Sequence, residues 1–390
     1  MSGYEFTRYL LSVTLLAMSP PKTILILWAV LLVGGVNAQT TLKEAFKDSF
    51  LIGAALNRSH FYESSAHEVE IIKRHFNSIS PENVLKWESV HPRHGTYDFA
   101  AADRYVEFGE KNKMVIIGHT LVWHNQTPKE VFEDARGNPV DRETLLWRMR
   151  EHIRTVVGRY KGRIKGWDVV NEALNEDGTL RRSKWLQIIG EDYIAKAFQF
   201  AREADPQAEL YYNDYSLESE PKRKGALNLL KQLKSQGIPV SGVGLQGHNN
   251  WEFPTVKQQE ETIKAFASLG LRVMITELDI DVLPIAAAPG ADINIKLELK
   301  PGMNPYEKGL PEEIQQKLAK RYSDLFKIFL KYKDVIDRVT FWGVTDAGTW
   351  LNNYPVRGRT NHPLLFDRDG NKKPAFHAVI AVARDTNAKR

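Results

Sequence analysis

Eight short apolar or β-branched runs recur along this chain, each separated from the next by a longer connecting stretch, and that alternation limits the folds open to it. The runs are Phe50–Leu56, Asn77–Ser80, Met114–Trp123, Ile164–Glu172, Glu209–Asp214, Gly242–Gly247, Arg272–Leu278 and Arg338–Val344. Amphipathic, helix-like stretches lie between them at Ala101–Asn112, Leu145–Tyr160, Tyr193–Ala204, Lys224–Gln236, Val256–Leu269 and Ile314–Tyr332. Strands that are apolar at nearly every position are buried on both faces, which is the condition of a parallel sheet covered by helices. Eight strand–helix repeats favour an α/β fold closed into a single-domain (β/α)8 TIM barrel over an open doubly wound sheet.

The first 38 residues stand apart from this pattern. Thr23–Val36 is nearly all apolar, follows Lys22, and ends in the small-residue segment Val36-Asn37-Ala38. The run is too short for a membrane anchor and is followed by a cleavage pattern, so residues 1–38 read as a signal peptide. Pro20-Pro21 separates it from a second apolar stretch, Tyr9–Met18, which suggests Met18 as the natural start. The expectation is a secreted or periplasmic protein, free of the membrane once cleaved, with residues 39–390 forming one catalytic domain. No linker or second module is apparent after the eighth unit. The chain has no cysteine, so its stability must come from its core and it cannot carry a lipoprotein's lipid. Its net charge of +5 is scattered rather than clustered, which gives no reason to expect nucleic acid as a partner. A monomer is expected.

Two of the runs stop at a glutamate: Trp167-Asp168-Val169-Val170-Asn171-Glu172 ends the fourth unit, and Val273-Met274-Ile275-Thr276-Glu277 the seventh. Barrel active sites are built at the C-terminal ends of the strands, so both acids are placed to meet over the mouth. Two carboxylates across one bond suit glycosidic hydrolysis: one attacks the anomeric carbon and the other, protonated, releases the leaving sugar. A histidine held by Asp279 would keep Glu277 ionised, and Gln246-Gly247-His248 supplies that histidine. The charge on Glu277 would then raise the pKa of Glu172 and leave it the acid. Asn171, beside Glu172, offers an amide to a substrate hydroxyl. The irregular stretch Leu283–Pro311, with Ala287-Ala288-Pro289-Gly290 and Leu299-Lys300-Pro301-Gly302, reads as a long loop covering one edge of the cleft.

From about Leu42 to Val382 the sequence resembles glycoside hydrolase family 10, the (β/α)8 retaining endo-β-1,4-xylanases. The resemblance rests on Glu82-Asn83-Val84-Leu85-Lys86-Trp87, Gly118-His119-Thr120-Leu121-Val122-Trp123-His124 with Gln126, and Trp167–Ala173. It continues through Tyr212-Asn213-Asp214-Tyr215, Gly244-Leu245-Gln246-Gly247-His248, Thr276–Ile280, Phe341-Trp342-Gly343-Val344-Thr345-Asp346 and Pro363-Leu364-Leu365-Phe366-Asp367. It implies that Glu172 is the acid/base and Glu277 the nucleophile. It implies that Glu82, Asn83 and Lys86 bind sugar on the non-reducing side, and that His119, Trp123, Asn171, Gln246 and His248 surround the bond cut. Trp342 and Trp350 would cover the bound sugars, and Gln126 would crowd the space a hexose hydroxymethyl needs, favouring xylose. The implied partners are xylan and xylo-oligosaccharides, with no cofactor. The Leu283–Pro311 insertion and the lack of a carbohydrate-binding module depart from the pattern.

Plainer readings stand beside these. Glutamates at strand ends are often solvated rim residues, and tryptophans are usually core anchors. Trp147 and Trp185 fall in helix-like segments and read as structural, while Trp87 is ambiguous. His119, His124 and His248 lack the spacing of a metal site, so no metal is expected, and His124 reads as a supporting residue. Asp367-Arg368-Asp369-Gly370 resembles the start of a calcium loop but lacks its third ligand and closing glutamate, so it reads as a tight turn. The basic run Arg159–Lys165 reads as a solvated helix end. The rival functions are a cellulase or mixed-linkage glucanase on a related barrel, and a catalytically silent sugar-binding barrel.

Overall fold

The computed structural model describes residues 40–284 and 292–388. The expected signal peptide and the Ala287-Ala288-Pro289-Gly290 part of the insertion lie outside the described residues. Eight parallel strands form the sheet: β1 (Leu51–Leu56), β2 (Ser78–Pro81), β3 (Val115–Val122), β4 (Gly166–Asn171), β5 (Glu209–Asp214), β6 (Gly242–Leu245), β7 (Arg272–Ile280) and β8 (Ile336–Phe341). Each pairs with the next, and β8 pairs back onto β1 through Leu51↔Arg338 to Ala54↔Phe341, which closes the barrel.

A helix follows each strand: α1 (Ala66–His75), α2 (Ala100–Lys111), α3 (Arg142–Arg159), α4 (Tyr193–Ala204), α5 (Glu220–Ser235), α6 (Val256–Ala267), α7 (Glu312–Lys331) and α8 (Pro374–Ala388). Local chemistry sets their starts. The Asp141 carboxylate accepts the Thr144 N–H at 2.7 Å ahead of α3, and Thr255 forms a reciprocal capping box with Gln258 ahead of α6. Burial sets their faces: α7 buries Leu318, Tyr322, Leu325, Phe326 and Phe329 at three- and four-residue spacing. Close packing also dictates Gly118 in β3, because a methyl group there would overlap the ring of Trp167 in β4. Among the described residues no helix is long and apolar enough to cross a membrane.

Three features depart from expectation. Strand β7 runs beyond Leu278 to Ile280, because a two-residue strand, His248–Asn249, pairs with Asp279 and Ile280 and prolongs the ladder. Helix α1 was not among the amphipathic stretches, although Val69, Ile71, Ile72 and His75 of its ten residues are buried. Trp147 is not a structural anchor. Its side of α3 faces solvent, the residue is 54% exposed, and its ring meets His94 in a T-shaped contact. Trp185 is buried, as is Trp87, which stacks on His152. The Asp367 carboxylate accepts the N–H groups of Asp369 and Asn371, the turn expected there. The basic run carries Arg159 and Arg163 in exposed ion pairs with Asp103 and Glu110.

Candidate active site

The residues singled out in the sequence gather where the strands end. Glu172 directly follows β4 with φ of +56°, a left-handed conformation that is uncommon outside glycine. Its backbone N–H donates to the Asn213 carbonyl at 2.9 Å, so strand pairing with β5 carries on through the bend. Glu277 lies inside β7, its N–H donating to the Gln246 carbonyl at 2.7 Å. Both carboxylates open onto one cleft. Glu82, Asn83 and Lys86 enter it from the segment after β2, and Gln126 from that after β3. His119, Trp123, Asn171, Gln246, His248, Trp342 and Trp350 complete the expected lining. Asp279 does not reach the cleft surface but stands behind His248, and Ile293 of the insertion joins the wall unexpectedly.

The two acids are held in opposite states. Glu172 accepts hydrogen bonds from Trp123 Nε1 at 2.8 Å, Gln246 Nε2 at 3.0 Å and Asn171 Nδ2 at 3.2 Å. Burial nevertheless pushes its pKa up to about 7, with the charge of Asp214 adding to it and that of Glu277 contributing less. Glu277 does raise Glu172, the direction expected from sequence, but desolvation leads and Asp214, at the end of β5, is the stronger neighbour. Glu277 is equally buried, and burial alone would raise it. The hydrogen bond from His248 (Nε2 to Oε2, 3.2 Å), the charges of His119 and His248, and the Asn213 amide (Nδ2 to Oε1, 2.8 Å) outweigh burial and hold it below the usual glutamate range.

His248 is the hinge of this polarity. Burial opposes its charge, but Asp279 on Nδ1 at 3.0 Å and Glu277 on Nε2 lift its pKa to about 10, so it is an imidazolium at neutral pH. The other Asp279 oxygen accepts Trp350 Nε1 at 2.7 Å, so an aromatic wall of the cleft is tied to the same carboxylate. On the opposite flank Lys86 donates to Asn83 at 2.9 Å and Gln126 at 2.8 Å, and lies 5.0 Å above the Trp123 ring. Burial lowers the ammonium's pKa, while the surrounding glutamates oppose that fall.

Sequence reasoning assigned no role to four residues that organise the site. Asn213 donates to both Asn171 Oδ1, at 2.9 Å, and Glu277, linking the surroundings of the two acids. Thr276 in turn donates to Asn213 Oδ1 at 2.7 Å. Asp168 takes His119 Nδ1 at 3.0 Å and orients that ring toward the cleft. Asp214 biases Glu172. Each is a polar residue within or ending an otherwise apolar strand, but the contacts that give it a role join different strands, and no single run displays them. His124 stays off the cleft surface, with Nε2 engaged by Asn125 at 3.0 Å.

One buried carboxyl that keeps its proton near neutrality and another that loses it easily, facing one cleft at a barrel mouth, is the division of labour that cleavage of a glycosidic bond requires. Fold and site together define a glycoside hydrolase. The sequence model of glycosyl hydrolase family 10 matches residues 41–382. Endo-1,4-beta-xylanase A of Xylanibacter ruminicola is 45% identical over 345 residues, covering 88% of this chain and 94% of the relative. Beta-1,4-xylanase of Dictyoglomus thermophilum is 45% identical over 342 residues, covering 87% and 90%. Among solved structures, a GH10 endoxylanase retrieved from a sugarcane soil metagenome is 49% identical with a TM-score of 0.85, over 87% of this chain and 99% of that one. The chain belongs to glycosyl hydrolase family 10.

Proposed function

We propose that this protein is a secreted endo-1,4-β-xylanase that hydrolyses internal xylosidic bonds with retention of configuration. The observation that carries the reading is the opposed protonation of Glu172 and Glu277 in one cleft; the xylanases among its relatives supply the substrate class. The Glu277 carboxylate attacks the anomeric carbon while Glu172 passes its proton to the glycosidic oxygen. The sugar–oxygen bond breaks, the leaving chain departs as an alcohol, and the glycosyl group stays esterified to Glu277. Esterification removes the charge of Glu277 and the pKa of Glu172 falls. Glu172, now ionised, takes a proton from water as that water attacks the same carbon, and both acids return to their starting states.

Lys86, Glu82 and Asn83 bind the sugar on the non-reducing side, and Lys86 is fixed for this by Gln126 and Asn83. Gln126 occupies the space a hydroxymethyl group would need. His119, Trp123, Asn171, Gln246 and His248 surround the bond to be cut, and Trp342 and Trp350 offer ring faces to the sugars. Asp279 and Asn213 act through His248 and Glu277. The protein works as a monomer without a cofactor, after export and loss of residues 1–38.

The test is hydrolysis of xylan beside carboxymethyl cellulose, with proton NMR of the first anomer released. Xylan should be strongly preferred and the β-anomer should appear first; preference for the cellulose or early α-anomer overturns the reading. Glu172→Ala should lose activity heavily, by about a hundredfold or more on xylo-oligosaccharides and least with a good leaving group, and azide should partly restore it. A sugar-binding barrel without catalysis would show no turnover to lose.

A further inference from the structure

The insertion after β7 is not a passive cover. Ile293 is the aliphatic member of a cleft lined otherwise by polar and aromatic side chains. Its neighbour Asp292 pairs with Arg181 at 3.3 Å and caps its own turn, accepting the Asn294 N–H at 3.0 Å and the Asn294 amide at 2.8 Å. Farther along, the Leu297 N–H donates to the Pro355 carbonyl at 2.8 Å, so the segment is fastened at both ends. Arg181 holds more than Asp292. Its Nε donates to the backbone carbonyl of Glu172 at 3.2 Å, and Nη2 donates to the Tyr215 hydroxyl at 2.8 Å.

The place of this cluster in the barrel fixes which part of a substrate it meets. Glu82, Asn83, Lys86 and Gln126 stand on the segments after β2 and β3, whereas Arg181, Tyr215 and Ile293 stand on those after β4, β5 and β7. Glu172 lies at the boundary, and the oxygen it protonates belongs to the departing sugar. That sugar therefore extends away from the Lys86 flank and over the Arg181 flank. Trp350 adds a ring to this side, stacked on Tyr354 at 4.4 Å.

We propose that Asp292 and Ile293 form a specificity element for the leaving-group sugars, with Ile293 packing against a pyranose face and the Asp292–Arg181 clamp holding it beside the backbone of Glu172. The proposal rests on the function given above and deepens it. A pyranose has an apolar C–H face and a polar edge, so an aliphatic wall accepts the ring face without competing for its hydroxyls. Arg181 touches the acid's main chain and Asp292 adjoins the wall, neither reaches the reacting atoms, and both are positioning residues.

A retaining enzyme allows this side of the cleft to be assayed separately, because the glycosyl-enzyme partitions between water and a sugar acceptor that must occupy the leaving-group side. The experiment uses the full chain and its Ile293→Ala and Asp292→Asn variants, with β-xylobiosyl fluoride, whose leaving group is too small to meet the wall, as donor and xylotriose as acceptor. Donor cleavage by the unaltered protein tests the underlying function; the transfer-to-hydrolysis ratio tests the wall. Both variants should lose about tenfold in that ratio, and a similar factor in kcat/KM for xylohexaose, while donor cleavage without acceptor stays within about twofold. An unchanged ratio overturns the proposal, as does an equal fall in all three quantities, which would mean that the segment only supports the fold.

Discussion

At the residue scale, the site depends on one imidazolium shared by two carboxylates. His248 keeps its proton because Asp279 and Glu277 flank it, and Glu277 stays ionised because His248 keeps its proton. Asp279→Asn removes one of the two charges, so His248 loses its proton more readily and Glu277 is less stabilised as an anion. The pKa of Glu277 then rises, and the acid limb of the kcat/KM profile should move to higher pH. A shift of about one unit, with about a tenfold loss on the acid side and a smaller one near the optimum, is expected. A pH profile on xylo-oligosaccharides checks it, and an unmoved acid limb would show that Asp279 serves only to anchor Trp350. The alkaline limb, set by Glu172 near pH 7, should stay where it is. The two acids could be found from sequence because a glutamate ending an apolar strand stands out. Asn213 and Asp168 could not, since their importance lies in contacts between neighbouring strands that no single run displays. The relative weight of burial, Asp214 and Glu277 on Glu172 is likewise a property of three-dimensional packing.

At the element scale, the strands were legible because burial on both faces leaves an apolar run, and the eight runs all coincide with barrel strands to within a few residues. Most helices were legible from their single apolar face. Helix α1 was not, and neither was the two-residue strand that prolongs β7, whose existence depends on a partner 31 residues away. The contact between α5 and the segment after Glu172 was also invisible in sequence. A methyl group on Gly225 of α5 would overlap the carbonyl of Gly178, so helix and loop meet backbone to backbone. That loop leads straight to Arg181, which holds the Glu172 carbonyl. Gly225→Ala removes a flexible residue from a helix interior, which on intrinsic grounds favours the helix. Overpacking against a main-chain carbonyl opposes that gain, and a cost of about 1–3 kcal/mol is typical. The net expectation is a lower thermal midpoint together with reduced kcat on xylo-oligosaccharides, since the displaced loop moves the acid. A variant of raised midpoint and full activity would show that helix and loop separate freely.

At the scale of the whole molecule, the barrel wall and the mouth work against each other. The wall is closed by parallel pairing and packed with apolar side chains, whereas the mouth buries ionisable groups that would be better solvated. Glu172 shows this most directly, with only 4% of its surface exposed and a pKa raised from 4.5 to about 7 by burial and like charges. Because the folded-state value lies above the unfolded one, the folded protein binds the extra proton between those two values. The group's contribution is therefore fully present below about pH 4.5 and is lost as pH rises through 7. Above that, the folded chain carries a buried carboxylate it disfavours, and a neutral isostere should relieve it. Glu172→Gln keeps the shape and an oxygen able to accept from Trp123, while removing the charge. Its unfolding free energy should match that of the unaltered protein at pH 4 and exceed it by about 2–4 kcal/mol at pH 8, with activity on xylan heavily reduced at both. Thermal or urea unfolding across that range decides the matter. A difference that does not grow with pH would mean the acid is not held against its ionisation, and both its proton-donor role and this account of the mouth would fail together. A growing difference would show that the proton needed for the first chemical step is supplied by the same burial that weakens the fold, so stability and turnover compete at a single side chain.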